Sequence, residues 1–272
     1  MKSAVTVCLV PEARSGPFVF HGDLERACTR AAELGFDAIE LFPPDAEAID
    51  PRSLRQILHR NRLQLAAVGT GAGWVARKLS LTDPDPAVRH RAQQFAAALV
   101  DYAGAFGAPA ILGSMQGRAD GATTREQALA WIAEALEQLG PRAHAQGVPF
   151  LLEPLNRYES NLFNTLHQAS LFTATLRTRN IRLLADLFHL NIEEASIPDA
   201  LRTAGSGIGH VHLADSNRSA AGFGHTDLTA AVAALREIGY DGYLSAEVFP
   251  RPTAEEAATQ AIRAFRTLTA AR

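Results

Sequence analysis

Short apolar runs with strand character alternate with longer stretches of helical periodicity along the whole chain. The strand-like runs cover Val5–Val10, Asp37–Phe42, Gln64–Val68, Ala108–Gly113, Pro149–Leu155, Ile181–Phe188, Gly209–Ala214 and Gly242–Val248. Between them, periodicity predicts helices over Asp23–Gly35, Asp50–Asn61, Pro86–Phe106, Thr124–Gln146, Thr165–Thr178, Pro198–Ala204, Leu228–Ile238 and Ala254–Thr269. Asp23 and Asp50 suit helix N-caps, Pro51 the first turn and Gly35 a stop, while Gly140-Pro141 is a point where its helix is expected to break. Strict alternation implies parallel strands joined by helical crossovers. Eight such units in 272 residues predict a single-domain (β/α)8 TIM barrel over residues 1–272. A doubly wound sheet would carry a Gly-rich turn after its first strand, and the segment there reads PEARSG.

Composition narrows the function. A net charge of -3 with no basic patch argues against a nucleic-acid partner. Cys8 and Cys28 form neither a disulfide framework nor a CxxC pair and read as small buried residues. The apolar N-terminal run is followed by Pro11 and charges and is far too short to span a membrane. A soluble cytoplasmic protein with no membrane partner is expected.

In a barrel, chemistry gathers at the C-terminal ends of the strands. Those ends carry Glu40, Glu153, Asp186, His212 and Glu247. The last four interrupt apolar runs, LLEPL, LLADLF, VHLA and SAEV, in four successive strands, at spacings of 33, 26 and 35 residues. A buried charge is costly unless paired or bound to a metal, and three carboxylates without a cation would raise one another's pKa. Three carboxylates and one imidazole suit Mn²⁺ or Mg²⁺, with Co²⁺ also compatible. Glu40, a single carboxylate, reads as a structural partner. His210 is expected to face away from His212, buried against a helix. The segments Asn156–Glu159, Asp186–His189 and Asp215–Arg218 should also lie in the mouth. Arg118 could hold an anionic group, Trp74 could wall a sugar pocket, and the GFGH stretch at residues 222–225 reads as a flexible turn.

At these positions the chain resembles the sugar phosphate isomerase/epimerase superfamily of xylose isomerase-like barrels, above all the ketose 3-epimerases that act on D-tagatose and D-psicose. The likeness rests on LLEPLNRYESNLFNT, LLADLFHLNIEE, HVHLADSNR with GFGHTD, and GYLSAEVF, and is strong from about residue 150 to 250. It implies a divalent metal, usually Mn²⁺, held by Glu153, Asp186, His212 and Glu247. It implies that Glu159, His189 and Arg218 contact the sugar substrate, and that Glu153 and Glu247 are the catalytic acid and base. One glutamate would take the proton from C3 to give a cis-enediolate, and the other would return a proton on the opposite face. Aldose–ketose isomerisation of a sugar or of hydroxypyruvate at the same centre is the alternative. Homodimers or homotetramers are the assemblies that the resemblance implies. An endonuclease IV-type enzyme shares the barrel but needs further histidines after the third and fourth strands, where this chain reads LAAVGTG and AILGSMQG.

Overall fold

The computed structural model describes residues 1–121 and 123–270. Eight parallel strands close a ring in chain order: β1 (Lys2–Cys8), β3 (Ala38–Phe42), β4 (Gln64–Gly69), β5 (Ala110–Leu112), β6 (Phe150–Leu152), β7 (Ile181–Asp186), β8 (Ile208–His212) and β9 (Tyr243–Ala246). β9 pairs back onto β1 through Lys2–Val5, so the barrel has no free edge. A two-residue strand, β2 (Phe20–His21), pairs with Val7 and Cys8 at the end of β1, beyond the stretch that pairs with β9.

The helices α1 (Leu24–Leu34), α2 (Pro51–Asn61), α4 (Pro86–Gly104), α5 (Arg125–Ala145), α6 (Leu166–Thr175), α8 (Ile197–Ala204), α9 (Leu228–Glu237) and α10 (Ala254–Thr269) accompany the strands. Their starts follow the expected chemistry. Asp23 accepts the Arg26 N–H, Asp50 accepts the Ser53 N–H ahead of Pro51, and Thr124 closes a capping box with Gln127. Two further helices were not expected: α3 (Ala72–Arg77) and α7 (Leu187–Glu193) lie in the loops after β4 and β7. The break expected at Gly140-Pro141 does not occur, and α5 runs through it. Gly140 offers no Cβ for the proline ring to strike, so the residue before Pro141 can stay helical.

Three apolar clusters result among the described residues. The large one fills the space between strands and helices, a small one inside the ring comprises Ala67, Ile111, Leu151 and Leu184, and another comprises Ala4, Ala38 and Ala66. Side chains two apart along a strand share a face. Ile111, Leu151, Leu184 and His210 therefore form a layer directly beneath Gly113, Glu153, Asp186 and His212. This corrects the placement of His210. It points into the barrel beneath His212, because residues two apart cannot face opposite sides of one strand.

Candidate metal centre

Glu153, Asp186, His212 and Glu247 each offer one donor atom, and these atoms lie within 4.8 Å of one another. The backbone aims each of them. Glu153 follows β6 directly and its N–H bonds Leu112 O at 3.1 Å, so the side chain enters the mouth beside Gly113. A Cβ at Gly113 would stand 2.4 Å from Glu153 Oε2, so only glycine leaves room for that carboxylate. Asp186 caps α7: Oδ1 accepts the Phe188 N–H at 2.8 Å, which turns Oδ2 toward the centre.

His212 spans two layers. Its Nε2 lies 3.1 Å from Glu40 Oε1, and the ring nitrogen Nε2 of His210 lies 2.7 Å from Glu40 Oε2. An ionised carboxylate only accepts, so both rings donate from Nε2. His212 Nδ1 is thereby presented to Asp186 Oδ2 at 3.6 Å, Glu247 Oε2 at 3.6 Å and Glu153 Oε1 at 3.8 Å. Orientation of a ligating imidazole by a carboxylate on its other nitrogen is a recurring feature of metal sites.

The donor set fits a hard divalent cation. His212 Nδ1 and Asp186 Oδ2 are buried with no hydrogen-bond partner among the described residues, although both are strong polar atoms. Burial raises the Glu153 carboxyl well above its usual range, and the Glu247 and Asp186 charges add to this despite His212 and Arg218. Burial also raises Glu247, against the pull of His212 and Arg218. Burial would lower His212, yet Glu40, Glu247 and Asp186 lift it well above the ordinary histidine value. Without a cation the cluster thus retains protons, and a cation would take over their role. Burial raises Glu40 less than His212 and His210 lower it, so that carboxylate stays charged.

Arg218, Glu159 and His189 lie around the four donors. Arg218 reaches Glu247 Oε2 at 2.6 Å, Glu159 Oε1 at 3.3 Å and Asp186 Oδ2 at 3.6 Å. Its backbone is left-handed, φ 55°, a conformation that L-residues with a side chain rarely adopt. The turn holds it there, because its N–H bonds Asp215 O and its own carbonyl accepts the Phe249 N–H, both at 2.8 Å. The residues at 222–225 are tied down as well. Asp215, itself buried, accepts N–H groups from Ser216 and Gly222 at 2.7 Å and from Thr226 at 3.0 Å. A Cβ on Gly224 would fall 2.3 Å from Asp215 Oδ1. Asp215 therefore braces the loop that carries Arg218 and stays out of the centre.

Of the other mouth candidates, Arg157 turns aside to Glu193 at 2.9 Å. Arg118 donates to Tyr158 O at 3.2 Å and, with the half-exposed Trp74, lines a cavity of about 750 Å³. Glu153, Glu159, His212, Arg218 and Glu247 line the same cavity, whose volume lies in the ordinary range for small-molecule sites, about 300–1,000 Å³. The roles of Glu40 and Asn156 were not foreseen. Glu40 meets residues 170 and more positions away, and Asn156 lies buried against His189 and Glu159.

The model of the xylose isomerase-like TIM barrel family matches residues 28–268. The chain belongs to this family. It is 32% identical to a D-psicose 3-epimerase of Ruminiclostridium cellulolyticum over 85% of this chain and 80% of that protein. It is 34% identical to an L-ribulose 3-epimerase of Mesorhizobium japonicum, over 86% and 78% respectively. Among solved structures, a D-allulose 3-epimerase from Methylomonas sp. superposes with TM-score 0.83 at 25% identity, over 98% of this chain and 99% of that one. The expected barrel and the expected class, a carbohydrate epimerase or isomerase, both hold. Among the described residues no helix is long and apolar enough to cross a membrane.

Proposed function

We propose that this protein inverts the carbon beside the carbonyl of a ketose or keto-sugar derivative, most plainly C3, through a cis-enediolate. Glu153 and Glu247 exchange the proton, and Glu159, His189 and Arg218 hold the sugar. Glu153, Asp186, His212 and Glu247 would hold the divalent ion, with Mn²⁺ the expected species and Mg²⁺ or Co²⁺ alternatives. A cation bound there supplies Lewis-acid polarisation of the substrate carbonyl.

The observation that carries this reading is the placement of the two glutamates. Glu153 follows β6 and Glu247 follows β9, three strands apart around the ring, and both carboxylates line one cavity. A sugar between them presents opposite faces of one carbon to two bases, which inversion requires. One glutamate accepts the C3 proton and the other donates to the opposite face. Arg218 and His189 supply donors where negative charge develops on the enediolate oxygens.

The test is NMR of a ketose and keto-sugar-acid panel in D₂O, with metal-reconstituted protein. Deuterium entering at C3 with inversion is the expected result, and Glu153→Gln should suppress it. Deuterium at C1 or C2 with a new aldehyde would replace this reading with aldose–ketose isomerisation. No exchange across the panel would overturn the ketose class.

A further inference from the structure

The amide of Asn156 is fully committed. The residue is buried, and its Oδ1 accepts the Tyr158 N–H at 3.0 Å. That contact fixes which end of the amide carries the hydrogens. Nδ2 consequently faces Glu159 Oε1 at 3.0 Å and His189 Nδ1 at 2.7 Å, and it has one hydrogen for each. The backbone N–H of Asn156 points at the same ring nitrogen from 3.4 Å. Two donors converging on one imidazole nitrogen leave it only a lone pair to offer. The ring proton must then sit on Nε2. That atom is buried, has no hydrogen-bond partner among the described residues, and lies 3.6 Å from Asp186 Oδ2 and 3.8 Å from Glu153 Oε1.

We infer that Asn156 is a positioning residue that locks His189 as the neutral Nε2–H tautomer, making it a hydrogen-bond donor to a substrate oxygen and not a base. The inference deepens the proposed reaction and rests on it for the identity of that oxygen. A neutral imidazole that donates from Nε2 cannot compete with Glu153 or Glu247 for the C3 proton. It stabilises negative charge on oxygen from a buried position. Asn156 sits only three residues after Glu153, so one short segment places a proposed proton carrier and orients the donor beside it.

The test reads the ring nitrogens of His189 directly, by ¹⁵N–¹H correlation on histidine-labelled protein with Mg²⁺ added. The chain has nine histidines, and the spectrum of His189→Gln assigns the signal. The wild-type protein should show a protonated Nε2 and a bare Nδ1. Asn156→Asp keeps the acceptor for Tyr158 N–H but offers His189 an oxygen, so the proton should move to Nδ1. Its kcat should fall about 10²–10³-fold, the usual loss for one donor to a developing oxyanion, with KM changed far less. The double variant Asn156→Asp/Glu159→Gln removes the new like-charge contact and should show the same ring reversal. A wild-type ring protonated on Nδ1 would overturn the inference, as would an unchanged ring in both variants. A reversed ring with undiminished kcat would overturn the donor role. The ring pattern is read without substrate, so an error in the sugar class leaves it untouched and the two failures remain distinct.

Discussion

Two layers of buried carboxylate and imidazole lie one above the other inside this barrel, and they differ in how they are satisfied. In the lower layer Glu40 receives Nε2 of both His210 and His212, at 2.7 and 3.1 Å. In the upper layer Asp186 Oδ2 and His212 Nδ1 have no hydrogen-bond partner among the described residues. The same residue types, similarly buried, thus give a closed hydrogen-bonded triad and an open donor set. Burying unpaired polar atoms costs about 1–3 kcal/mol each, so an open set is stable only where something else fills it. The lower layer is closed, the upper layer is open, and His212 joins them.

The largest effect should come from the upper layer. Glu153→Gln should lower the rate of C3 proton exchange by about 10²–10⁴-fold, measured by deuterium incorporation. An unchanged rate would mean that the open layer is not where the proton moves.

The lower layer should matter at one remove. Glu40→Gln should weaken metal affinity by about 10–100-fold, measured by chelator competition, because an amide leaves one acceptor oxygen for the two rings that donate to Glu40. A loss as complete as that from an upper-layer variant would erase the distinction between the two.

The loop brace should show itself as stability with a pH signature. Burial pushes the Asp215 carboxyl up, but the N–H groups of Thr226, Ser216, Gly224 and Gly222 bring it below its ordinary value. A depressed folded pKa stabilises the protein above the unfolded value near 3.9, and this is lost as pH falls through the folded value. Asp215→Asn should therefore cost about 1–3 kcal/mol at neutral pH in denaturant titrations. The difference from wild type should shrink below about pH 4. A constant difference down to acid pH would show that the charge of Asp215 contributes nothing.

The smallest effect is expected from His210→Gln. An amide can still donate to Glu40, so metal affinity should change less than about 10-fold, the lower bound for loss of an orienting partner. A larger change in the same competition assay would make His210 part of the site.

Much of this arrangement was legible in the sequence, and the gaps have physical causes. Glu153, Asp186, His212 and Glu247 stood out because each interrupts an apolar run at the spacing of one βα unit. The barrel followed from the alternation of runs, which local periodicity encodes. Strand ends were less visible: Val5–Val10 was expected where β1 spans Lys2–Cys8, because apolar residues continue past the last ladder bond. The helix α3 escaped notice because six residues are too few to establish a period. Glu40 carries no local mark of its role, since its partners lie across the ring on β8. His210 was misplaced although the strand period of two already put it beside His212. The 222–225 segment looked flexible because its order comes from Asp215, several residues earlier.

The most direct test of the central claim is calorimetric titration of metal-free protein with Mn²⁺. The two-layer account predicts one ion per chain, proton release on binding, and loss of that binding in Asp186→Asn, with Glu40→Gln weakened but still saturable. Binding that survives Asp186→Asn but disappears in Glu40→Gln would place the ion in the lower layer and contradict the account.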